Sequence, residues 1–197
     1  MTEREHRPLD TKSLNAFAAE LPAISKITIT EQTQSTNADL LRAAAAGAED
    51  GTVLVAEDQT EGRGRRGRQW TTAPYEDLAM SILIRPEIPP DKYPILSFYI
   101  GLSIFDALAD ICGDALKLKW PNDLLWKGRK LAGILTERRG DAIVVGIGLN
   151  VNQAVTDFPT DLGETAASLR IALGKPVDRP CLAVAILRSL DGRFASL

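Results

Sequence analysis

Short runs of apolar and β-branched residues recur along the chain, separated by clusters of glycine, proline, asparagine and aspartate. Runs of this length between turn residues predict β-strands. Seven strands are predicted, at residues 27–30, 52–56, 78–84, 116–120, 124–126, 130–138 and 142–149. The last four are joined by tight turns such as Lys127-Gly128 and Gly140-Asp141, so we expect them to form a β-meander.

Four other segments predict helices, at residues 36–46, 94–108, 165–173 and 179–194. The first is well bounded, with Thr36 as the predicted N-cap, Asp39 three residues later and Gly47 beyond its end. Adjacent antiparallel strands with helices in separate blocks predict an α+β domain. We expect it to span residues 27–197, after a partly disordered N-terminal segment, residues 1–26.

The segment 94–108 is long and apolar, and it predicts a central buried helix. Its apolar residues recur at helical spacing. The residues expected to face the core are Ile95, Phe98, Leu102 and Phe105. The apolar stretch 93–105 stops at Asp106, short of the ~20 residues that a membrane helix needs, so we expect no membrane association.

Composition narrows the chemistry that the chain can perform. The formal net charge is −3, with 23 basic and 26 acidic residues, which disfavours general binding to nucleic acid. Cys112 and Cys181 are the only cysteines and His6 is the only histidine. We therefore expect no disulfide framework, no metal cluster and no histidine-dependent catalysis. Free cysteines without an export signal predict a cytoplasmic location.

One loop stands out against this acidic background. Residues 57–70 read Glu-Asp-Gln-Thr-Glu-Gly-Arg-Gly-Arg-Arg-Gly-Arg-Gln-Trp. The glycines permit positive φ and close approach to a ligand, and the four arginines suit carboxylate or phosphate. Trp70 offers a flat face for a ring, and Gln59 can both donate and accept hydrogen bonds. The loop predicts a site for a small anionic ligand, the alternative being an ordinary solvated loop.

The same loop contains the spacing of the dinucleotide-binding fingerprint, with glycines at 62, 64 and 67. In a dinucleotide fold the third glycine must open a helix whose N-terminus receives the pyrophosphate. Here Gly67 is followed by Arg68, Gln69, Trp70, two threonines and Pro74, which is not a helix start. We therefore reject dinucleotide binding.

Two further segments carry candidate chemistry. In the first, residues 117–135, Asn122-Asp123 alone would be an ordinary turn. Lys130, however, opens an apolar strand, where a lysine is costly unless it is exposed or paired with an anion. An inward-facing Lys130 would bind phosphate or carboxylate. The second segment, residues 146–152, places glycines in a strand, which indicates either close approach by a ligand or backbone, or a bulge.

Taken together and in order, five motifs resemble the catalytic domain of biotin protein ligases over roughly residues 27–190. The motifs are Ser35-Thr36-Asn37, Gln59 with the loop 62–70, Lys119-Trp-Pro-Asn-Asp-Leu124, Arg129-Lys-Leu-Ala-Gly-Ile134, and residues 146–152. The resemblance implies a fold like that of class II aminoacyl-tRNA synthetases and lipoate ligases, with a mixed, mainly antiparallel sheet and flanking helices. Five ordered motifs are far more specific than any one of them.

The resemblance also implies an activity and its ligands. Members of the family join biotin to ATP, forming biotinyl-5′-AMP, and transfer biotin to one lysine of a carboxylase's biotin carrier domain. The residues implied in biotin binding are Ser35, Thr36, Asn37, Gln59, Gly62, Arg63, Gly64, Arg65, Lys130 and Gly133. Those implied on the ATP side are Arg65, Arg68, Trp70, Asn122, Lys130 and Asn150.

Three residues are implied in the chemical steps. Arg65 and Lys130 would neutralise the carboxylate and the α-phosphate, because bringing two anions together requires opposing charge. Asp123 would contact Mg²⁺ and could help remove the proton of the acceptor lysine. Family members often form dimers through the central sheet, and the resemblance leaves a homodimer open here.

Two features depart from the usual family pattern. Many members carry a DNA-binding winged helix before this domain, but only residues 1–26 precede the first predicted strand. A small SH3-like β-domain usually follows the last helix, whereas this sequence stops at Leu197. We therefore expect no DNA binding, and we expect effects on ATP affinity and carrier recognition.

Three alternatives accompany this interpretation. A lipoate ligase shares the fold and the adenylate chemistry, but its glycine-rich segment lacks the arginine pattern of residues 62–70. A non-catalytic biotin-binding module would not need the adenylate-side residues Arg68, Lys130 and Asn150. An arginine loop that binds nucleic acid would show strongly salt-dependent association with random duplex DNA.

Overall fold

The computed structural model describes residues 8–194 of the chain. The helices are α1 (Thr11–Ala18), α2 (Thr36–Ala45), α3 (Pro94–Cys112), α4 (Leu169–Leu173) and α5 (Arg179–Phe194). The strands are β1 (Lys26–Thr33), β2 (Thr52–Gln59), β3 (Leu78–Ile84), β4 (Leu116–Lys119), β5 (Asp123–Trp126), β6 (Arg129–Arg139) and β7 (Ala142–Leu149). All seven predicted strands are present, with ends shifted by at most three residues.

The strands form one sheet in the order β1-β2-β3-β7-β6-β5-β4. The β1–β2 pair is parallel and is connected through α2, whereas every other neighbouring pair is antiparallel. Strands β4 to β7 form the predicted meander. The predicted α+β class and the mixed, mainly antiparallel sheet are confirmed.

The alternation of side chains along each strand divides the sheet into two unlike faces. In β3, Met80 and Ile82 belong to the main core with α1, α3 and α5. Leu83, one position out of phase, packs with Leu40 of α2 and Val144 of β7. The α2 face is the less covered one, and on it Ser81 of β3 is a buried polar residue.

The N-cap of helix α2 lies one residue earlier than predicted. The N-cap is Ser35, whose backbone is extended and whose Oγ accepts from the N–H of Ala38 at 3.5 Å. The predicted N-cap, Thr36, is already helical, and its N–H and hydroxyl both reach Gln59 instead. The prediction of Thr36 as N-cap is wrong because a tertiary partner takes up its polar groups.

Helix α3 is the central buried helix, as predicted, but it buries a different stripe. Leu96, Ile100, Ile104 and Leu108 are at most 1% exposed. The predicted stripe lies on the flanks, and Ile95 is 42% exposed. Because nearly every position in this helix is apolar, hydrophobic spacing alone does not select the buried side.

The same helix is longer than predicted, since it continues past Leu108 to Cys112. Within the described residues it is the one helix long and apolar enough, by length and composition, to cross a membrane. Core helices meet the same test, and its buried side packs on the sheet and α5. The predicted cytoplasmic location stays a prediction.

Helix α4 is shorter than the predicted segment 165–173. Its first residue is Leu169, and Ser168 caps it by accepting from the N–H of Ile171 at 3.1 Å. Thr165 ends a turn and Ala166 forms a β-bridge with Lys130 at the start of β6, where Lys130 N–H donates to the carbonyl of Thr165 at 2.7 Å. Pairing with a strand therefore outcompetes the local helical tendency.

The N-terminal segment contributes a helix that the sequence analysis did not predict. Asp10 caps α1 by accepting from the N–H groups of Lys12 and Ser13, each at 3.1 Å. Asn15 then binds both the N–H and the carbonyl of Ile27 in β1. Residues 1–7, which include His6 and part of the segment expected to be disordered, lie outside the described residues.

Candidate functional site

A cavity opens on the α2 face of the sheet, between the start of α2, the arginine-glycine loop and the meander. Most of the predicted site residues lie around it. The lining residues are Ser35, Thr36, Asn37, Gln59, Arg63, Gly64, Arg65, Trp70, Asn122, Lys130, Gly133, Ile134, Leu135, Gly146, Ile147 and Gly148. The cavity therefore unites all five sequence motifs.

One end of the cavity is a closed network of neutral polar groups. Gln59 Oε1 accepts from the N–H of Thr36 at 2.9 Å and lies 3.0 Å from its hydroxyl. Because a backbone N–H can only donate, the amide oxygen of Gln59 must be the atom that faces Thr36. Gln59 therefore keeps its NH₂ group for donation elsewhere.

Asn37 connects the start of α2 to strand β6. Its Nδ2 donates to the carbonyl of Leu135 at 3.1 Å and to Glu137 Oε2 at 2.8 Å. Its side chain is 3% exposed, and a Cβ placed on Gly146 would overlap its amide. Gly146 is thus required by a neighbouring side chain, in a strand whose pairing with β3 and β6 is regular.

The arginine-glycine loop is closed by its own backbone. Gly64 N–H donates to the carbonyl of Arg68 at 2.7 Å, and Trp70 N–H donates to the carbonyl of Gly62 at 2.8 Å. Gly67 has φ +72°, and a Cβ on Gly62 would overlap the Trp70 carbonyl. The glycines therefore serve the loop's own fold, and a single 3₁₀ turn, Arg65–Gly67, replaces the helix of a dinucleotide site.

Two arginines tie this loop to the meander. Arg65 Nη1 donates to Asn122 Oδ1 at 3.0 Å, and Asn122 in turn donates to the carbonyl of Ile134 at 2.9 Å. Arg63 Nη1 lies 3.8 Å from Glu137 Oε1. Both arginines are exposed, so each contact is weak and can exchange for a ligand's anion.

Trp70 lies on a floor made of two glycines. A Cβ on Gly148 would overlap the indole, and one on Gly133 would come within 2.9 Å of it. The indole Nε1 is buried and has no hydrogen-bond partner among the described residues. Since a buried N–H normally has a partner, this atom is an unsatisfied donor packed against Gly148.

Lys130 points into the cavity beside Trp70. Its Nζ lies 2.8 Å from Asp123 Oδ1 and 5.4 Å from the centre of the Trp70 ring. The Lys130 side chain is 37% exposed. The inward-facing position that the sequence analysis hypothesised is confirmed, and Asp123 is the anion that it meets in this structure.

Four predicted site residues do not line the cavity. Gly62 is buried within the loop, Arg68 is exposed, and Asp123 lies behind Lys130. Asn150 is 4% exposed and donates to the carbonyl of Ala167 at 2.9 Å. In this structure, Asn150 joins the ends of β7 and β6 to the segment before α4, and its ligand role stays a prediction.

Two residues at the site were missed by the sequence analysis. Ser81 is fully buried and lies 2.6 Å from both Thr36 Oγ1 and Asn37 Oδ1. Glu137 connects Asn37 with Arg63. Ser81 did leave a signal, since it is the one polar residue in the strand Leu-Ala-Met-Ser-Ile-Leu-Ile, whereas Glu137 is an ordinary exposed-strand residue by sequence.

A second buried polar cluster supports the segment that leaves the loop. Asp77 is 2% exposed and accepts from the N–H groups of Ala73 at 2.9 Å and Val151 at 3.0 Å, and from Gln153. Burial raises the pKa of Asp77 to about 7, against the opposing effect of these donors. Asp77 thus joins the loop's exit to the segment after β7.

The fold and the site define a class of protein, and comparisons with known proteins agree with it. A family model described as "Biotin/lipoate A/B protein ligase family" matches residues 28–153. This match covers more than half of the chain. The protein therefore belongs to the biotin/lipoate A/B protein ligase family.

Curated relatives and solved structures give the same result. The chain is 40% identical over 202 residues to "Biotin--[acetyl-CoA-carboxylase] ligase" of Mycobacterium tuberculosis, covering 98% of this chain and 74% of the relative. It is 38% identical over 152 residues to "Bifunctional ligase/repressor BirA" of Bacillus subtilis, covering 75% of this chain. The chain spans about half, 47%, of that relative's length.

A solved structure similar to this chain is the biotin protein ligase from Aquifex aeolicus in complex with biotin and ATP. Its TM-score is 0.77 at 32% sequence identity, over 86% of this chain and 70% of that one. The resemblance expected from the five sequence motifs is confirmed at the level of the family and the fold.

Proposed function

We propose that this protein is a biotin protein ligase, which activates biotin with ATP and transfers it to a lysine of a biotin carrier domain. The observation that carries the proposal is the polarity of the cavity. Thr36 and Gln59 form a neutral hydrogen-bonding end, while Lys130 and Arg65 form a cationic end. Biotin has the matching arrangement, with a neutral cyclic urea at one end and a carboxylate at the other.

The first half-reaction would take place at the cationic end. A biotin carboxylate oxygen attacks the α-phosphorus of ATP, the bond to the β-phosphate oxygen breaks, and pyrophosphate leaves. The protein's task is to hold two anions in line and to offset the charge of the transition state. Lys130 is the cation best suited to this, because its Nζ is at the cavity wall and its present partner is a single carboxylate.

Two further residues would complete the nucleotide side. The ring of Trp70 lines the cavity, where it can contact the adenylate. Arg65, whose Nη1 lies 3.0 Å from Asn122 Oδ1, can bind the phosphate from its position in the loop. Both roles, like those of Arg68 and Asn150, are part of the proposal.

Mg²⁺ is the metal expected with ATP, and the residues present fit it in a limited way. Mg²⁺ is commonly bound by one or two carboxylates together with substrate phosphates. Asp123 supplies one carboxylate here, and among the described residues no group of three metal-ligating side chains occurs. Asp123 would hold Mg²⁺ together with the phosphates, where the ion would reduce their negative charge.

The second half-reaction needs a protein partner. The neutral amine of the acceptor lysine attacks the carbonyl carbon of biotinyl-5′-AMP, an amide bond forms, and AMP leaves with the bonding electrons. We propose a biotin carrier domain of a biotin-dependent carboxylase as that partner. A homodimer, and the lack of DNA or membrane binding, stay predictions from the sequence.

Calorimetry with two ligands tests the proposal. Biotin is titrated into the protein, followed by biotinyl-5′-sulfamoyl-adenosine, in which the sulfamoyl group takes the place of the acyl phosphate. We expect the analogue to bind at least about tenfold more tightly than biotin, since it adds contacts at Lys130, Arg65 and Trp70. Lipoate in place of biotin is the control for the related ligase, and we expect no binding.

The results with biotin, the analogue and lipoate distinguish the possible outcomes. If biotin bound and the analogue bound no better, the cavity would be a biotin site without adenylate chemistry. If lipoate bound in preference, the substrate would be wrong while the family stood. Transfer is then measured as the mass increase of a purified biotin carrier domain incubated with the protein, biotin, ATP and Mg²⁺.

A further inference from the structure

Ser81 is a buried residue that contacts two residues of the cavity wall, Thr36 and Asn37. It lies in the middle of β3, is fully buried, and is the one polar side chain in that strand. Its Oγ is 2.6 Å from Thr36 Oγ1 and 2.6 Å from Asn37 Oδ1. It does not line the cavity, so any effect on a ligand must pass through Thr36 or Asn37.

The direction of these hydrogen bonds follows from Asn37. Both of its amide hydrogens are engaged by acceptors, the Leu135 carbonyl and the Glu137 carboxylate. The amide oxygen must therefore face Ser81, and an amide oxygen can only accept. Since the Ser81 hydroxyl carries a single hydrogen, that hydrogen is committed to Asn37.

Thr36 is constrained as a consequence. Its hydroxyl has one hydrogen and two polar neighbours inside the protein: the oxygen lies 2.6 Å from Ser81 Oγ, and the hydroxyl donates to Gln59 Oε1 at 3.0 Å. It receives no hydrogen from Ser81, because that hydrogen is used at Asn37. The Thr36 oxygen is left with a lone pair, and it presents an acceptor to the cavity.

We propose that Ser81 is a positioning residue that commits the Thr36 hydroxyl to accept a hydrogen bond from a ring N–H of the ligand. The inference rests on the proposed function, since a cyclic urea carries the N–H group that such an acceptor would bind. It also explains why a serine occupies a strand that is otherwise apolar. Asn37 acts in the same chain as the group that orients Ser81.

Removing the Ser81 hydroxyl disturbs two of the groups that it orders. In Ser81→Ala, Asn37 Oδ1 loses its donor and Thr36 loses a neighbour, at a buried site where unpaired polar groups are costly. We expect the KM and the Kd for biotin to rise about tenfold, while kcat and the KM for ATP stay within about twofold. Ser81→Cys keeps a weak donor, and we expect a smaller rise in the biotin Kd.

Ser103→Ala is the matched control. Ser103 is also fully buried and its hydroxyl also has a partner, the Tyr99 carbonyl at 3.2 Å, but it lies in α3 on the other face. We expect its biotin Kd to equal that of the wild type. Thermal unfolding of each variant establishes that it is folded, and if Ser81→Ala does not fold, the Kd of Ser81→Cys against wild type decides.

The outcomes separate this inference from the function on which it rests. If wild-type protein bound no biotin, the proposed function and the inference would both be overturned. If it bound biotin and the folded Ser81 variants bound equally well, the inference alone would be overturned. A parallel rise in the KM for ATP and the KM for biotin would indicate general loosening, and this too would overturn a positioning role.

Discussion

The two ends of the cavity are built in opposite ways. At the closed end, Thr36 and Asn37 of α2 are 3% exposed, and each is hydrogen-bonded to a side chain of the sheet, Gln59 in β2 and Glu137 in β6. At the open end, the arginines of the loop are exposed and Trp70 Nε1 has no partner among the described residues. The side chains of the closed end are held in place by hydrogen bonds within the protein, whereas the open end has exposed or unpaired groups that could bind a ligand.

The difference follows from the charge of what each end would bind. A neutral urea offers only hydrogen bonds, whose strength depends on geometry, so its partners gain from being held in advance. An anionic phosphate is attracted over a longer range, and exposed arginines can close on it after it binds. Substitutions at the closed end should therefore affect biotin affinity, and those at the open end should affect the adenylate.

The largest effect is expected at Lys130. Lys130→Ala removes the cation that we propose offsets the charge of both reacting anions, and we expect the rate of biotin-dependent pyrophosphate exchange to fall about 10²–10³-fold, with a smaller change in biotin affinity. Lys127→Ala is the control, because Lys127 lies over Trp126, 4.7 Å from its ring centre, and does not line the cavity. An unchanged exchange rate in Lys130→Ala would exclude Lys130 from the chemical step.

Gly148→Ala tests the glycine floor beneath Trp70. The added methyl group would overlap the indole, so the ring must move, and we expect the KM for ATP to rise about tenfold with a shift in tryptophan fluorescence. Gly192→Ala in α5 is the control, since nothing lies within 4 Å of its Cβ position. Wild-type ATP affinity in Gly148→Ala would show that the position of Trp70 does not matter.

Arg65 is the proposed clamp at the open end. Arg65→Gly removes the guanidinium that reaches Asn122, and we expect biotinyl-5′-AMP to leave the protein several-fold to about tenfold faster. Arg66→Gly is the control, because Arg66 is exposed and already has φ 58°, which glycine tolerates. The readout is the half-life of the adenylate complex after rapid removal of free ligand, and equal half-lives would exclude the clamp.

Asp77 concerns stability rather than catalysis and is expected to have the smallest effect on activity. Folding raises its pKa from 3.8 to about 7, so between these values the folded protein binds more protons than the unfolded chain. The stability that this group contributes is complete below pH 3.8 and is lost as pH rises to about 7. Its slope is at most about 1.4 kcal/mol per pH unit.

Denaturant unfolding at pH 5 and pH 7.5 measures this effect. We expect Asp77→Asn to lose the part of the pH dependence that belongs to Asp77, since an amide does not titrate in this range. Asp161→Asn, at an exposed position, is the control. An identical pH dependence in Asp77→Asn and wild type would show that Asp77 is ionised in the folded protein throughout.

Local sequence signals were sufficient for most of the fold. Strand β3 and strand β7 have their predicted bounds, because an apolar run between turn residues defines its own ends. The turn at Lys127-Gly128 formed as expected, with both residues at positive φ. Two errors occurred where a distant partner mattered: Gln59 at the start of α2, and β6 at the start of α4.

The candidate site also has features that local sequence predicts and features that depend on residues distant in sequence. The sequence by itself determined which segments meet at the cavity, because the five motifs carry residue types that suit anions and neutral polar rings. It also determined the class of fold, since periodicity and turn chemistry are properties of neighbouring residues. Lys130 was identified in this way, from the cost of placing a lysine at the start of an apolar strand.

Only the tertiary structure decided how those residues act. Ser81 reaches Asn37 across 44 positions, and Asn37 reaches Glu137 across 100. Gly146 and Gly148 owe their lack of a side chain to Asn37 and Trp70, which come from other elements. A hydrogen bond depends on the distance and direction between two atoms, and for residues so far apart in sequence these are set only when the sheet has formed.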